Sequence, residues 1–202
     1  LLLGEPGIGK TTYVRHMAWH LGIPFAMQSL ASVSGGFVLS GTDTTWKAAK
    51  PGWIARTFLD TRVANPILLL DEIDKSSSSA GRANHSSNNV QETLLSLLEP
   101  ETSSRFVDEY LTHLRMDLSL VSFVATANDL SGLSKPLLSR FQVVHIPSPP
   151  KADRQKIVQN IYRNLVKDMG VEHRFSPSIS EVVLDRLTSQ TAGEGNLRDV
   201  RG

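Results

Sequence analysis

Apolar residues gather in a few short, unbroken runs rather than spreading evenly along the chain. Leu1-Leu2-Leu3 and Ile67-Leu68-Leu69-Leu70 carry no polar alternation, and residues 121–125 and 143–146 are nearly as apolar. Runs of this length, the second bounded by Pro66 and Asp71, predict strands covered on both faces in a parallel sheet. Between them the spacing turns helical. Val14, Met17, Ala18 and Leu21 share one face, and Gly22 stands where a helix C-terminus is capped. Pro24 begins a short extended stretch over residues 24–28. Pro51 opens a helix with Ile54, Phe58 and Leu59 on one side, and Val90, Leu94, Leu97 and Leu98 form another stripe.

Strands alternating with helices predict a doubly wound α/β three-layer sandwich around a parallel sheet. Pro147, Pro149 and Pro150 interrupt the pattern, and after them only helical spacing returns, at Ile157, Ile161 and Leu165 and again at Val182, Val183 and Leu187. The expected organisation is an α/β domain over residues 1–148 followed by a small α-helical lid subdomain over residues 149–202. Residues 29–45 are rich in Gly, Ser and Thr, and residues 76–89 in Ser and Asn, so both read as loops.

Composition narrows the picture. With 202 residues, 40% of them hydrophobic, the chain can bury one core with a small appendage. Its 21 basic and 20 acidic residues leave a net charge of +1, so no global field draws it to nucleic acid or an anionic membrane. There is no Cys, which removes disulfides, thiolate metal sites and thiol nucleophiles. No apolar run approaches the roughly 20 residues of a membrane span, and the reading is cytoplasmic. The strand before the first motif is short and residue 202 falls in a helix-like pattern, so the chain reads as a piece of a longer protein.

Residues 4–11 carry the first chemistry. Gly4, Glu5, Pro6, Gly7, Ile8, Gly9, Lys10 and Thr11 form an unbroken G-x-x-x-x-G-K-[ST] loop between an apolar strand and a helix, with Thr12 following. Glycines let backbone N–H groups turn toward phosphate oxygens, Lys10 reaches the β and γ phosphates, and the Thr11 hydroxyl can ligate Mg²⁺. A loop of this kind opens a P-loop NTPase fold. The G-x-x-G-x-G glycine order is not that of dinucleotide-binding folds.

Asp71 and Glu72 end the second apolar run. There Asp71 can hold Mg²⁺ and Glu72 can polarise the water that attacks the γ phosphate, roles an amide cannot fill; the alternative is that Asp71 caps the next helix. Asn128 ends the next strand, where it can bond the attacking water or γ phosphate, or simply close the strand with an Asx-turn. Arg140 can neutralise a phosphoryl transition state in its own subunit or a neighbour's, or it can pair on the surface. Arg198, in the last helical pattern, can touch nucleotide or face solvent. The six His show no paired metal-ligand spacing.

Together these motifs resemble the AAA+ ATPases, and the stretches between them resemble the ATPase module of Lon-type ATP-dependent proteases. Carrying the resemblance are Ala64-Asn65-Pro66, Asp71-Glu72-Ile73-Asp74-Lys75, Leu97-Leu98-Glu99-Pro100-Glu101, Phe106-Val107-Asp108, Ala125-Thr126-Ala127-Asn128 and Pro136-Leu137-Leu138-Ser139-Arg140. The resemblance implies a Walker A loop at residues 4–11, Walker B at Asp71 and Glu72, sensor 1 at Asn128 and an arginine finger at Arg140. It further implies ATP and Mg²⁺ as cofactors and a homo-oligomeric, hexameric ring that remodels or unfolds protein. Trp46, before Pro51-Gly52, falls where such rings grip their substrate, with a packed Trp as the alternative. At sensor 2 the pattern Gly195-Asn196-Leu197-Arg198 departs from the Lon pattern and points to Arg198. A nucleic-acid-associated AAA+ regulator or loader, and a scaffold that binds ATP without cleaving it, are the competing functions. No peptidase segment lies within these residues.

Overall fold

The computed structural model describes residues 1–76 and 89–190. By contacts the chain divides into two units, one of Leu1–Leu3 with Lys10–His145, the other of Gly4–Gly9 with the chain from Ile146 on. In order, the first unit holds β1 (Leu2–Leu3), α1 (Lys10–Leu21), β2 (Phe25–Ser29), α2 (Phe37–Ser40), α3 (Trp53–Thr61), β3 (Ile67–Asp71), α4 (Val90–Leu98) and α5 (Pro100–Ser103). It continues with β4 (Phe106–Val107), β5 (Arg115–Met116), β6 (Ser122–Ala127), α6 (Lys135–Leu138) and β7 (Val144–His145).

Five strands form one parallel sheet in the order β2-β3-β6-β1-β7. Parallel neighbours cannot be joined by tight turns, so helices cross over between them, as the alternating pattern requires. Strand β3 lies between β2 and β6, with Ile67 opposite Phe25 on one side and Ser122 on the other. Its side chains Ile67, Leu68, Leu69 and Leu70 are all buried. That is why this run lacks polar alternation: both faces are covered. Leu68→Ala, which empties a site in the central strand, is expected to cost about 2–5 kcal/mol, read as a lower urea midpoint with unchanged slope.

Helix α1 buries Val14 and Ala18, and Gly22 (φ +64°) ends it. Ile23 N–H bonds the Ala18 carbonyl and Gly22 N–H bonds that of Trp19, the paired closure a left-handed glycine permits. Leu21, expected on the inner face, is exposed, as is Leu59 of α3, where Ile54, Ala55 and Thr57 turn inward instead. Helix α3 starts at Trp53, two residues after Pro51, and the last strand pairs only Val144–His145. An antiparallel pair unforeseen in the pattern, β4 with β5, sits between α5 and β6.

The second unit contains α7 (Lys151–Asp168) and α8 (Glu181–Gln190), which pack on each other. Val158 is fully buried, and Gln155 Nε2 donates to Asp185 Oδ1 at 3.1 Å. Val182 and Val183, expected inside, are exposed, and Leu184, Leu187 and Thr188 face inward instead. Two adjacent residues point about 100° apart on a helix, so an inward stripe follows the 184/187/188 spacing. Among the described residues no helix is long and apolar enough to cross a membrane.

Candidate functional site

Segments distant in sequence end side by side in the first unit. Asp71 closes β3, Asn128 follows β6, and Lys10 and Thr11 open the helix after β1. Since β3, β6 and β1 are adjacent and parallel, their carboxyl ends line one edge of the sheet, the place where open α/β sheets bind ligands. Lys10, 8% exposed, donates from Nζ to Asn128 Oδ1 at 2.9 Å. Thr11 donates from Oγ1 to Asp71 Oδ1 at 3.0 Å.

Thr126 joins the same network. Its hydroxyl donates to Asp71 Oδ1 at 2.5 Å and accepts from the Glu72 backbone N–H at 3.0 Å. The Asn128 N–H donates to Asp74 Oδ2 at 3.3 Å. Sequence reasoning missed Thr126 and Asp74 as members of the site. The available signal was a lone Thr inside the apolar end of β6, beside Asn128. Thr126→Val keeps the shape and removes both hydrogen bonds, and should weaken Mg²⁺-dependent nucleotide binding by about three- to tenfold, read by titration calorimetry.

Glu72 has φ +57°, a left-handed backbone that is uncommon outside Gly, Asn and Asp. Its Oε1 accepts from Lys75 Nζ at 3.0 Å across one turn. The other reading of Asp71, a helix cap, is not what its carboxylate does, since both of its side-chain hydrogen bonds come from threonine hydroxyls. The Asx-turn weighed for Asn128 belongs to its neighbour. Asp129 accepts from the Ser131 hydroxyl and from its N–H at 3.1 Å, and these bonds hold the Asp129 carboxyl below the usual carboxylate range.

The glycine loop of the second unit shows what each glycine is for. Gly7 (φ +78°) and Gly9 (φ +97°) take left-handed backbone. At Gly4 a Cβ would stand 2.5 Å from the Ile146 carbonyl, so no side chain fits. Glu5 accepts from the Ser148 hydroxyl.

Arg140 follows α6 and bonds elsewhere. It donates to Glu99 Oε2 at 2.5 Å and to the Pro136 carbonyl and Ser139 hydroxyl at 3.2 Å. Buried Gln91 of α4 fixes the start of that segment by bonding the Gly132 carbonyl at 2.9 Å and the Ser134 N–H at 3.0 Å. Trp46 is 64% exposed at the tip of a loop whose base is closed by Thr42 and Lys50. Within that tip Asp43 accepts from the Thr45 N–H at 2.8 Å and from its hydroxyl, which holds the Asp43 carboxyl below its ordinary range. Arg198 lies outside the described residues.

Among the described residues no three His, Cys, Asp or Glu side chains converge on a metal. The Thr11 and Asp71 oxygens nevertheless suit Mg²⁺. It takes hard oxygen donors, and in nucleotide sites one or two protein ligands suffice beside phosphate and water.

A sequence profile of the ATPase family associated with various cellular activities matches residues 1–148. The chain belongs to this AAA family. Among curated relatives, the Lon protease of Magnetococcus marinus is 34% identical over 160 residues, 79% of this chain and 19% of its own length. Lon protease of Fusobacterium nucleatum is 32% identical over 201 residues, covering 99% of this chain and 25% of its own length. A mitochondrial Lon protease homolog of Yarrowia lipolytica is 31% identical across 100% of this chain and 17% of its own length. The chain therefore spans a quarter or less of these relatives. It is an AAA ATPase module of Lon type, with the parallel α/β sheet expected for a P-loop NTPase.

Proposed function

We propose that this module hydrolyses Mg²⁺-ATP to ADP and phosphate and uses the cycle, in a homo-oligomeric ring, to unfold or remodel protein. The network that gathers Lys10, Thr11, Asp71 and Asn128 carries this reading, because it unites a cation, two hydroxyl-bearing or carboxylate metal ligands and a polar amide where ligands bind α/β sheets. Residues 1–148 form the nucleotide-binding domain and residues 149–202 the lid.

Residues 4–12, from Gly4 to Thr12, wrap the phosphates, with Lys10 on the β and γ oxygens. Thr11 and Asp71 would hold Mg²⁺, which would supply neutralisation of the phosphate charge. Glu72 takes the proton of the attacking water, and Asn128 orients that water or the γ phosphate. Both have work to release first. Lys10 must leave Asn128 Oδ1 for phosphate, and Glu72 must loosen its pairing with Lys75, which is half exposed and therefore weak. Arg140 acts on the neighbouring subunit's phosphate, and Arg198 on the nucleotide from the lid. Trp46 grips the polypeptide. Its exposure supports that role better than a packed one.

The test is ATP turnover of the full-length parent protein against its own concentration. Specific activity should rise cooperatively as subunits assemble, because each site needs an Arg from its neighbour. Activity proportional to concentration from the lowest dilution, together with salt-sensitive DNA binding, would favour a nucleic-acid-associated regulator instead.

A further inference from the structure

Asp108 is fully buried, yet it touches none of the nucleotide-site residues. A buried acid requires compensation, and here three backbone N–H groups supply it. Oδ2 accepts from Gly52 at 2.8 Å; Oδ1 accepts from Tyr110 at 2.9 Å and Leu111 at 3.3 Å. One side chain thus fastens the chain just past the Trp46 loop to the chain just past β4.

The surrounding backbone is shaped around that carboxylate. Gly41 (φ +90°) precedes the loop, and a Cβ there would lie 2.4 Å from Asp108 Oδ1. At Gly52, which follows the loop, a Cβ would lie 2.2 Å from the Leu39 carbonyl and 2.4 Å from the Gly41 nitrogen. Both ends of the loop are therefore drawn together against Asp108. The loop base is closed independently: Lys50 N–H donates to Thr42 Oγ1 at 2.8 Å and Thr42 N–H to the Lys50 carbonyl at 3.2 Å. A second tie runs beside the first. Glu109 N–H donates to the Ser40 carbonyl at 2.8 Å, and the Ser40 hydroxyl donates to Glu109 Oε1 at 3.3 Å.

Connectivity gives these ties direction. Downstream of Gly52 the chain runs through α3 into β3, which ends at Asp71. Downstream of Asp108 it runs through β5 and buried Leu118 into β6, which leads to Asn128. We propose that Asp108 is the positioning residue that anchors the Trp46 loop, clamping it to the β4–β5 pair so that load on the loop is borne by the segments that lead into β3 and β6. This rests on the reading of Trp46 as the gripping residue. An unanchored loop would still meet polypeptide but would slip under load, so energy would be spent without unfolding.

The measured quantity is the number of ATP molecules hydrolysed per folded reporter unfolded, in the full-length assembled protein, using a fluorescent β-barrel protein with an unstructured tail. A purely structural lesion lowers hydrolysis and unfolding together and leaves this ratio alone. Asp108→Asn retains the shape but sets an NH₂ group against a backbone N–H. It should raise the ratio by at least about fivefold, the low end for leaving a buried N–H without its acceptor. A wild-type ratio in assembled Asp108→Asn overturns the anchor. Should that variant fail to assemble, Ser40→Ala with Glu109→Gln removes the parallel side-chain tie together with the long Ser40 hydroxyl bond to the Gly36 carbonyl; a ratio raised about twofold supports the clamp and an unchanged ratio overturns it. Trp46→Ala is measured alongside. If it leaves unfolding untouched, the gripping reading fails and the anchor with it; a Trp46→Ala defect beside a normal Asp108→Asn ratio sinks the anchor alone.

Discussion

Arg140→Ala is expected to lower ATP turnover of the assembled full-length protein by at least about a thousandfold, the scale at which an arginine finger stabilises phosphoryl transfer. Nucleotide binding should persist, because within its own chain Arg140 bonds Glu99, Pro136 and Ser139 and not the Lys10–Asp71 network. The cis pairing with Glu99 is partly exposed, so solvent screens it and releasing it costs little. Mixing separates a finger in trans from a local structural role. An equimolar mixture of Arg140→Ala with Glu72→Gln places an intact base beside an intact Arg at about a quarter of the interfaces of a randomly assembled ring. Recovery of activity on mixing two inactive proteins supports action across the interface. A mixture as inactive as its parts assigns Arg140 to its own subunit.

Glu72→Gln should reduce turnover by at least about a hundredfold, the contribution of a positioned general base, with ATP affinity retained. Shape and the left-handed backbone are preserved, as is the N–H to Thr126, so the loss is confined to the carboxylate charge and its exposed pairing with Lys75. Lys75 offers a control. Removing its ammonium with Lys75→Met frees Glu72 Oε1 without touching the base, and turnover should change by less than about threefold. Hydrolysis that survives Glu72→Gln would transfer the role to another group, and half-buried Asp74, which accepts from the Asn128 N–H, is an acid of the same network to test next.

Most of what could be read ahead of the structure came from local rules. The unbroken Ile67–Leu70 run announced a strand covered on both faces, and Gly22 announced the end of α1, because each signal sits within a few residues of its effect. The glycine loop, with Gly7 and Gly9 in left-handed backbone, was legible for the same reason. What escaped depends on partners far away. Strands β4 and β5 are two residues each, too short for any alternation to register. Thr126 looks like an ordinary strand residue until β3 lies beside it and brings Asp71 within reach. Asp108 is mute in sequence, since its partner Gly52 lies 56 residues upstream. Val182 and Val183 misled because adjacent apolar residues satisfy a count but not a helical face.

A left-handed conformation costs a side chain with a Cβ about 1–2 kcal/mol, a penalty that Gly escapes and Asn lessens. On the role proposed for Glu72, heat tolerance and chemistry select opposite residues at this position. A laboratory selection that rewarded only survival at high temperature would drift toward Gly or Asn there, enriching for chains that fold more readily and no longer carry a carboxylate at the end of β3.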